Sequence, residues 1–333
     1  MDPIHLRYLN AQDIESLALT ESEILDAIET SLRAQGEGAT VIEPRMHLIP
    51  DPAFNGHFNV LRGYIAPMGT AGVKIVGDYR DNYQKGFPSE FAILNLMDAR
   101  TGLPTAILNA TDITEMRTGA VTAIGAKYLA PTSPKILGHI GARGTAYWNV
   151  RLLDHLFDFD EIRVHSRRPE SRDGFARRLE AVLGKPIVVT DNWRDCLAGA
   201  DIMVEASRLA TPEPLFRSDW IKPGALVIPY GTVSAVEDDI TDRMDKIVVD
   251  DWGQCLIGPF GCLRRHVDSG RITRETIHGE LGEICAGKLA GREDREETIL
   301  FWHRGLSTSD IALGHAMLAK AERLGIGQTL RYA

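Results

Sequence analysis

The sequence has no run of about 20 apolar residues, so no membrane-spanning helix is expected. It begins MDPIHLRYLN, without the basic stretch and apolar segment of a secretory leader, and a cytoplasmic location is the expectation. Four cysteines occur in 333 residues: Cys196, Cys255, Cys262 and Cys285. None forms a CxxC pair and no His/Cys group has zinc spacing, so free buried thiols are expected, with no disulfide framework and no metal site. Positive charge is also short. The 37 Lys and Arg face 46 Asp and Glu, a net charge of −9, which argues against a nucleic-acid partner. An anionic ligand must then be held by a local cluster of cations against the field of the whole protein. Internal repeats and low-complexity segments are absent.

What is present is ordinary globular composition, 44% apolar and 25% charged, in a chain longer than one compact core usually holds. Residues 13–35 have helical periodicity, with Thr20 or Ser22 as cap. Residues 57–65 and 72–79 read as strands, and 91–110 as two strands joined by a turn at Asp98–Gly102. Thr114 is read as the cap of a helix that Pro131 stops. The pattern then changes to strands at 135–140, 161–166, 186–189, 201–206, 225–230 and 246–250. Helices at 145–157, 171–184 and 193–199 alternate with the first four of them. That alternation predicts an α/β fold with a doubly wound parallel sheet. A capped amphipathic helix ending at Gly325 closes the chain.

The strand at 135–140 runs into Gly141-Ala142-Arg143-Gly144-Thr145-Ala146. A strand, a glycine turn and a helix N-terminus together make a pyrophosphate site, because glycine admits close backbone approach and the helix supplies unpaired N–H groups. The second glycine of the GxGxxG/A pattern is replaced by Arg143, whose side chain lies either along the pyrophosphate or in solvent. The next strand ends in Ser166-Arg167-Arg168. An acid there would accept ribose hydroxyls, and arginines on charge alone suit the additional phosphate of NADP(H). Ala206, Ser207 and Gly231, at or just past the ends of later strands, complete the expected cofactor contacts.

Several segments together resemble the ornithine cyclodeaminase/mu-crystallin family. They are Gly72-Val73-Lys74-Ile75-Val76, Asp98-Ala99-Arg100-Thr101-Gly102-Leu103-Pro104, Thr114-Glu115-Met116-Arg117-Thr118-Gly119-Ala120, the loop at 141–146, and Ser309-Asp310-Ile311-Ala312. The resemblance spans about residues 10–330. It implies a homodimer whose chain has a Rossmann domain (119–306) and an α+β substrate and dimerisation domain (1–118 with 307–333). It places Arg45, Lys74 and Arg117 where the family holds the substrate carboxylate, and Ser89, Arg117 and Thr118 near cofactor contacts. An arginine fork grips a carboxylate through two bonds, and a lysine inside an apolar strand needs a reason to be there. Lys74 is expected to anchor the carboxylate or to supply a proton. Asp310 reads either as an active-site carboxylate or as a helix cap.

Two departures narrow the expectation. The aspartate that cyclodeaminases carry in a late loop has no counterpart in Pro229–Glu237, which puts ammonia loss with ring closure in doubt. Arg62 adds a cation on a strand near Lys74, and Arg80 is a further candidate; Arg62 would hold a second carboxylate, or face solvent or a partner. The resemblance therefore points to an oxidoreductase that reduces a small anionic imino acid, with iminosuccinate to L-aspartate as the specific reaction. NAD(H) is the expected cofactor and NADP(H) is not excluded. Alanine dehydrogenase, ketimine reductase, cyclodeaminase and non-catalytic NAD(P)H-binding readings stand as the rivals.

Overall fold

The computed structural model describes residues 3–209, 211–258 and 260–333, with every side chain among them except those of Arg80 and Tyr83. Arg80, read above as a further cation, thus lies outside the described side chains. The first long helix, Glu21–Gly36, starts from a capping box. The Thr20 hydroxyl accepts from the Glu23 amide at 3.2 Å, and the Glu23 carboxylate accepts from the Thr20 amide at 2.9 Å. This satisfies N–H groups that a helix start leaves unpaired. A separate short helix, Ala11–Ser16, precedes it with its own box at Asn10 and Asp13. The single helix expected over 13–35 is therefore two, because each box starts its own helix.

The chain divides into two units, Met1–Arg117 with Leu306–Ala333, and Thr118–Gly305. The boundary falls within one helix, Thr111–Leu129. That helix starts before the Thr114 cap expected from sequence. The Asn109 side-chain oxygen accepts from the Thr111 amide at 3.1 Å, while the Thr114 hydroxyl donates back to the Ala110 carbonyl at 3.0 Å.

In the first unit the strands run in the order Gln328–Arg331, His5–Leu9, Pro104–Asn109, Glu90–Asp98, Thr70–Tyr79, Gly56–Ile65 and Thr40–Ile42, and Met46–Leu48 also pairs with Gly56–Ile65. Among the described residues of this sheet only His5–Leu9 with Pro104–Asn109 is a parallel pair. The register sets Leu61, Lys74 and Leu94 opposite one another, so they share a face. The C-terminal helix Ser307–Leu324 covers that face. Glycines allow its approach: a Cβ at Gly314 would sit 2.4 Å from Leu94, and one at Gly72 2.8 Å from Ile311. The other face carries Met46, Ile75 and Ile93 in one row and Leu48 and Phe91 in the next. Met46, Leu48, Phe91 and Ile93 are exposed.

The second unit is a parallel sheet in the order Val188–Val189, Glu161–His165, Ile136–Ile140, Ile202–Glu205, Leu226–Pro229, Ile299–Trp302, Lys246–Val249 and Gly279–Glu280. The helices Ala146–Phe157, Pro169–Leu183 and Trp193–Leu197 follow its first strands in the chain. The chain order turns back between Ile136–Ile140 and Ile202–Glu205, and doubly wound sheets bind ligands outside the strand ends at such a point. The strands at the centre are buried along their length, as a sheet covered on both faces requires. Ile299–Trp302, a strand not among those expected from sequence, inserts between Leu226–Pro229 and Lys246–Val249. The four cysteines are buried and free of disulfides. Among the described residues no helix is long and apolar enough to cross a membrane, and no group of His, Cys, Asp or Glu could hold a metal ion.

The packing makes one glycine indispensable. A Cβ at Gly138 would lie 2.4 Å from the Cys196 carbonyl oxygen, a backbone atom that cannot rotate away. Gly138→Ala should destabilise the protein by about 1–3 kcal/mol through overpacking. Urea unfolding followed by tryptophan fluorescence reads the shift, and an unchanged midpoint would contradict this close approach.

Candidate active site

Lys74 lies in the strand Thr70–Tyr79 with 1% of its surface exposed. A buried ammonium must be paired and hydrogen-bonded. Its Nζ donates to Asp310 Oδ1 at 2.6 Å and to the Thr114 hydroxyl at 3.1 Å. Arg117 Nε donates to the same Asp310 oxygen at 2.9 Å. All four residues belong to the first unit. Burial pushes the Lys74 ammonium down to about 8. Asp310 opposes that shift, and the positive charges of Arg117 and Arg45 add to it.

Asp310 is wholly buried, one turn into the C-terminal helix. Leu306 holds the cap position without a side-chain bond, so the helix-cap reading of Asp310 is set aside. Its carboxylate serves Lys74 and Arg117 through Oδ1, and Oδ2 makes no hydrogen bond among the described residues. Arg117 falls in the second turn of Thr111–Leu129, past the first turn where the helix dipole acts most strongly on an anion. Arg45 sits between the strands Thr40–Ile42 and Met46–Leu48, within electrostatic reach of Lys74.

Arg62 is not part of this group. Its cross-strand partner is Val73, so it points to the face opposite Lys74, with Glu43 3.4 Å away. Ser89 lies in the first unit just before the strand Glu90–Asp98, its carbonyl accepting from the Tyr79 amide at 2.8 Å. Thr118 opens the second unit, with its carbonyl accepting from the Thr122 hydroxyl at 3.2 Å.

In the second unit seven of the predicted cofactor residues line one crevice. A cavity of about 320 Å³ is lined by Gly141, Ala142, Arg143, Ser166, Arg167, Ala206 and Ser207, among others. Gly141 has φ 107° and Gly144 φ 57°, conformations that favour glycine. A Cβ on Gly141 would meet the Ala206 carbonyl at 2.8 Å. Thr145 precedes the helix Ala146–Phe157 without capping it. Its hydroxyl instead pairs with the Tyr230 hydroxyl at 2.5 Å, and Asn149 also donates to that phenol. The Ala146 amide donates to the Arg143 carbonyl at 3.3 Å, and the first-turn amides after it receive no side-chain cap from Thr145, the condition under which a helix start holds an anion. Arg143 bonds Ser171 at 3.2 Å and Arg167 pairs with Glu213. These residues fit the phosphates of a dinucleotide. His139 beneath the loop is buried, and burial pushes its imidazole down to about 4, so the strand under the loop carries no charge at neutral pH.

Gly231 is buried, with its amide donating to Glu205 Oε2 at 3.2 Å. Glu205, Tyr230 and Thr114 are site residues that the sequence reading missed. Glu205 carried a signal, a carboxylate at the end of the otherwise apolar stretch Ile202–Val204. Thr114 was assigned to capping alone.

The profile of the ornithine cyclodeaminase/mu-crystallin family matches residues 7–323. The chain belongs to that family. Among solved members of similar structure is a Delta(1)-pyrroline-2-carboxylate reductase of Thermococcus litoralis in complex with NADH and L-proline. It has 28% identity and a TM-score of 0.90, over 98% of this chain and 100% of that one. An archaeal alanine dehydrogenase dimer with bound NAD gives 27% identity and a TM-score of 0.89, over 99% and 100% of the two chains. The iminosuccinate reductase of Paracoccus denitrificans in complex with NAD+ shares the fold at 23% identity and a TM-score of 0.88, over 98% and 99%.

The buried group makes a coupled prediction. Asp310→Asn leaves two cations without their counter-ion and should cost about 3–5 kcal/mol. Adding Lys74→Met should recover a substantial part of that loss. Urea unfolding of the two single variants and the double variant closes the cycle; strictly additive losses would show that Lys74 and Asp310 are not coupled.

Proposed function

We propose that this protein is an NAD(H)-dependent imine reductase that converts a small anionic imino acid to its amino acid, with iminosuccinate reduced to L-aspartate as the specific reaction. The observation that carries the reading is the buried Lys74–Asp310–Arg117 group with Arg45 in range. The positive charges of Lys74, Arg117 and Arg45 lie within reach of one another, a concentration of charge that suits a substrate with two carboxylates. That grouping supports iminosuccinate without Arg62, which faces away.

In this reading Arg117 and Arg45 grip the substrate carboxylates and so fix the imine carbon. A nicotinamide cofactor, when bound, would supply the hydride for the reduction. Lys74 gives a proton from Nζ to the imine nitrogen, and solvent returns it afterwards. An ammonium with its pKa near 8 remains protonated at neutral pH and yields its proton more readily than an ordinary lysine. Asp310 holds Lys74 and Arg117 through Oδ1, and Oδ2 accepts the N–H of the imine. The residues Gly141–Ala146, Ser166, Arg167, Ala206 and Ser207 bind the dinucleotide, as suits a family whose relatives hold NADH or NAD. The open apolar face of the first unit supports a homodimer, since an exposed patch of this kind marks an interaction surface. Met46 is 57% and Phe91 50% exposed there.

A substrate panel tests the reaction. NADH oxidation is followed with oxaloacetate plus ammonia, pyruvate plus ammonia, and Delta(1)-pyrroline-2-carboxylate, then repeated with NADPH. The first substrate pair with NADH should give the highest kcat/KM; a higher value with either of the others would replace iminosuccinate. Lys74→Met should lower kcat by roughly 10²–10⁴-fold with NADH affinity unchanged. In the wild type the reductive rate should fall as pH rises through about 8, because Lys74 then loses the proton it must donate. A rate that climbs through that range would remove Lys74 as the acid. For the assembly, sedimentation should give a dimer that Ile93→Lys splits, and a monomeric wild type would overturn the interface.

A further inference from the structure

Glu205 is the last residue of the strand Ile202–Glu205 and is wholly buried at the point where the strand order of the parallel sheet turns back. Ion pairing does not explain its place, since the bonds its carboxylate makes are to uncharged donors. The Ser207 amide donates to Oε1 at 2.7 Å and the Ser207 hydroxyl bonds the same oxygen. The Gly231 amide donates to Oε2 at 3.2 Å, and the Cys262 thiol donates as well. One carboxylate thus ties together three segments that meet at the carboxyl end of the sheet. Two of them carry residues assigned above to the cofactor, Ser207 and Gly231. The site leaves no room for variation: a Cβ on Gly231 would sit 2.6 Å from one Glu205 oxygen and 2.9 Å from the Ser207 carbonyl.

The consequence reaches the glycine loop. Ala206 lies between Glu205 and Ser207, and its carbonyl is the atom that a Cβ on Gly141 would strike at 2.8 Å. The Ala206 amide is held in turn by the Ile140 carbonyl at 2.9 Å. The wall of the crevice opposite Gly141 is therefore backbone, and the turn that sets it is closed by the Glu205 side chain. An aliphatic residue at 205 would fill the space and leave the Gly231 amide, a buried donor, without an acceptor.

We propose that Glu205 is a positioning residue for the dinucleotide: it clamps the Ala206–Ser207 turn to Gly231 and so fixes the width of the crevice that receives the cofactor, without touching the substrate. The inference rests on the reading of this unit as a dinucleotide site.

The test separates cofactor binding from chemistry. Glu205→Gln keeps the shape and one acceptor oxygen, but turns an NH2 group toward either the Gly231 or the Ser207 donors. The dissociation constant of NADH, read by fluorescence titration, should rise roughly tenfold, together with the KM for NADH. The kcat at saturating NADH and the KM for the imine should stay within about twofold of wild type, a difference small against the tenfold step. A loss of general order would instead lower the folded fraction or kcat with no selective change in NADH affinity. Unchanged NADH affinity, or a fall in kcat at saturating NADH as large as the rise in KM, overturns the proposal. Ser207→Ala removes one donor of the clamp and should shift NADH affinity in the same direction by less. It keeps the proposal testable if Glu205→Gln does not fold, because an unchanged value then counts against the clamp. Failure of the wild type to bind either NADH or NADPH would reject the underlying dinucleotide reading, which a selective Glu205 effect cannot do.

Discussion

A lysine ammonium shut away from water constrains the rest of the first unit. Lys74 occupies a position in its strand that burial would ordinarily give to an aliphatic side chain, between Leu61 and Leu94 on the neighbouring strands. The charge persists there because Asp310 and Thr114 come to it from two separate helices. The C-terminal helix must therefore return to the sheet from the far end of the chain. Gly72 and Gly314 are the concessions in side-chain volume that let it come close. Buried ion pairs are weak sources of stability, because desolvation offsets most of the attraction. Retaining two cations and a carboxylate where Leu, Met and Val would pack well points to chemistry, not to stability.

The second unit meets the opposite requirement. Its crevice is shaped by backbone and neutral hydrogen bonds: left-handed glycines, the Thr145–Tyr230–Asn149 hydroxyl and amide network, and a histidine that burial keeps uncharged. The exception is Glu205, whose carboxyl is pushed above its usual range by burial and which is surrounded by uncharged donors. A dinucleotide brings its own negative charge, so a site that offers amides and peripheral arginines without a fixed interior cation is electrostatically consistent. In the proposed reaction the two units divide the work: one supplies charge and a proton, the other supplies shape. The family relationship agrees with that division, since one solved relative holds NADH together with L-proline and another holds NAD.

Much of this was legible in the chain because motif residues carry their chemistry with them. Lys74 in an apolar strand, Arg117 in its helix, and the Gly141–Ala146 loop could each be read from local pattern. Asp310 was ambiguous because Ser307-Thr308-Ser309-Asp310 has the composition of a helix start, and only the partners 193 and 236 positions away decide its role. Arg62 was open to two readings for a different reason. The number of residues between two strands does not reveal their relative phase, and the observed register, Arg62 opposite Val73, turns it to the other face. The short strands His5–Leu9 and Gln328–Arg331 pair with distant parts of the chain and show little alternation of their own. Glu205 passed as part of a strand because its partners, at 207, 231 and 262, converge only in three dimensions.

The proposed chemistry depends on the Lys74 ammonium being destabilised by burial more than it is stabilised by Asp310. Titration of that single group by NMR, with carbon-13 in the lysine side chains and Lys74→Met to assign its signal, measures the balance directly. A midpoint near 8 is the predicted result. A midpoint at or above the ordinary lysine value of about 10.4 would mean that the ion pair dominates, and that Lys74 is a structural cation with no proton to give at neutral pH.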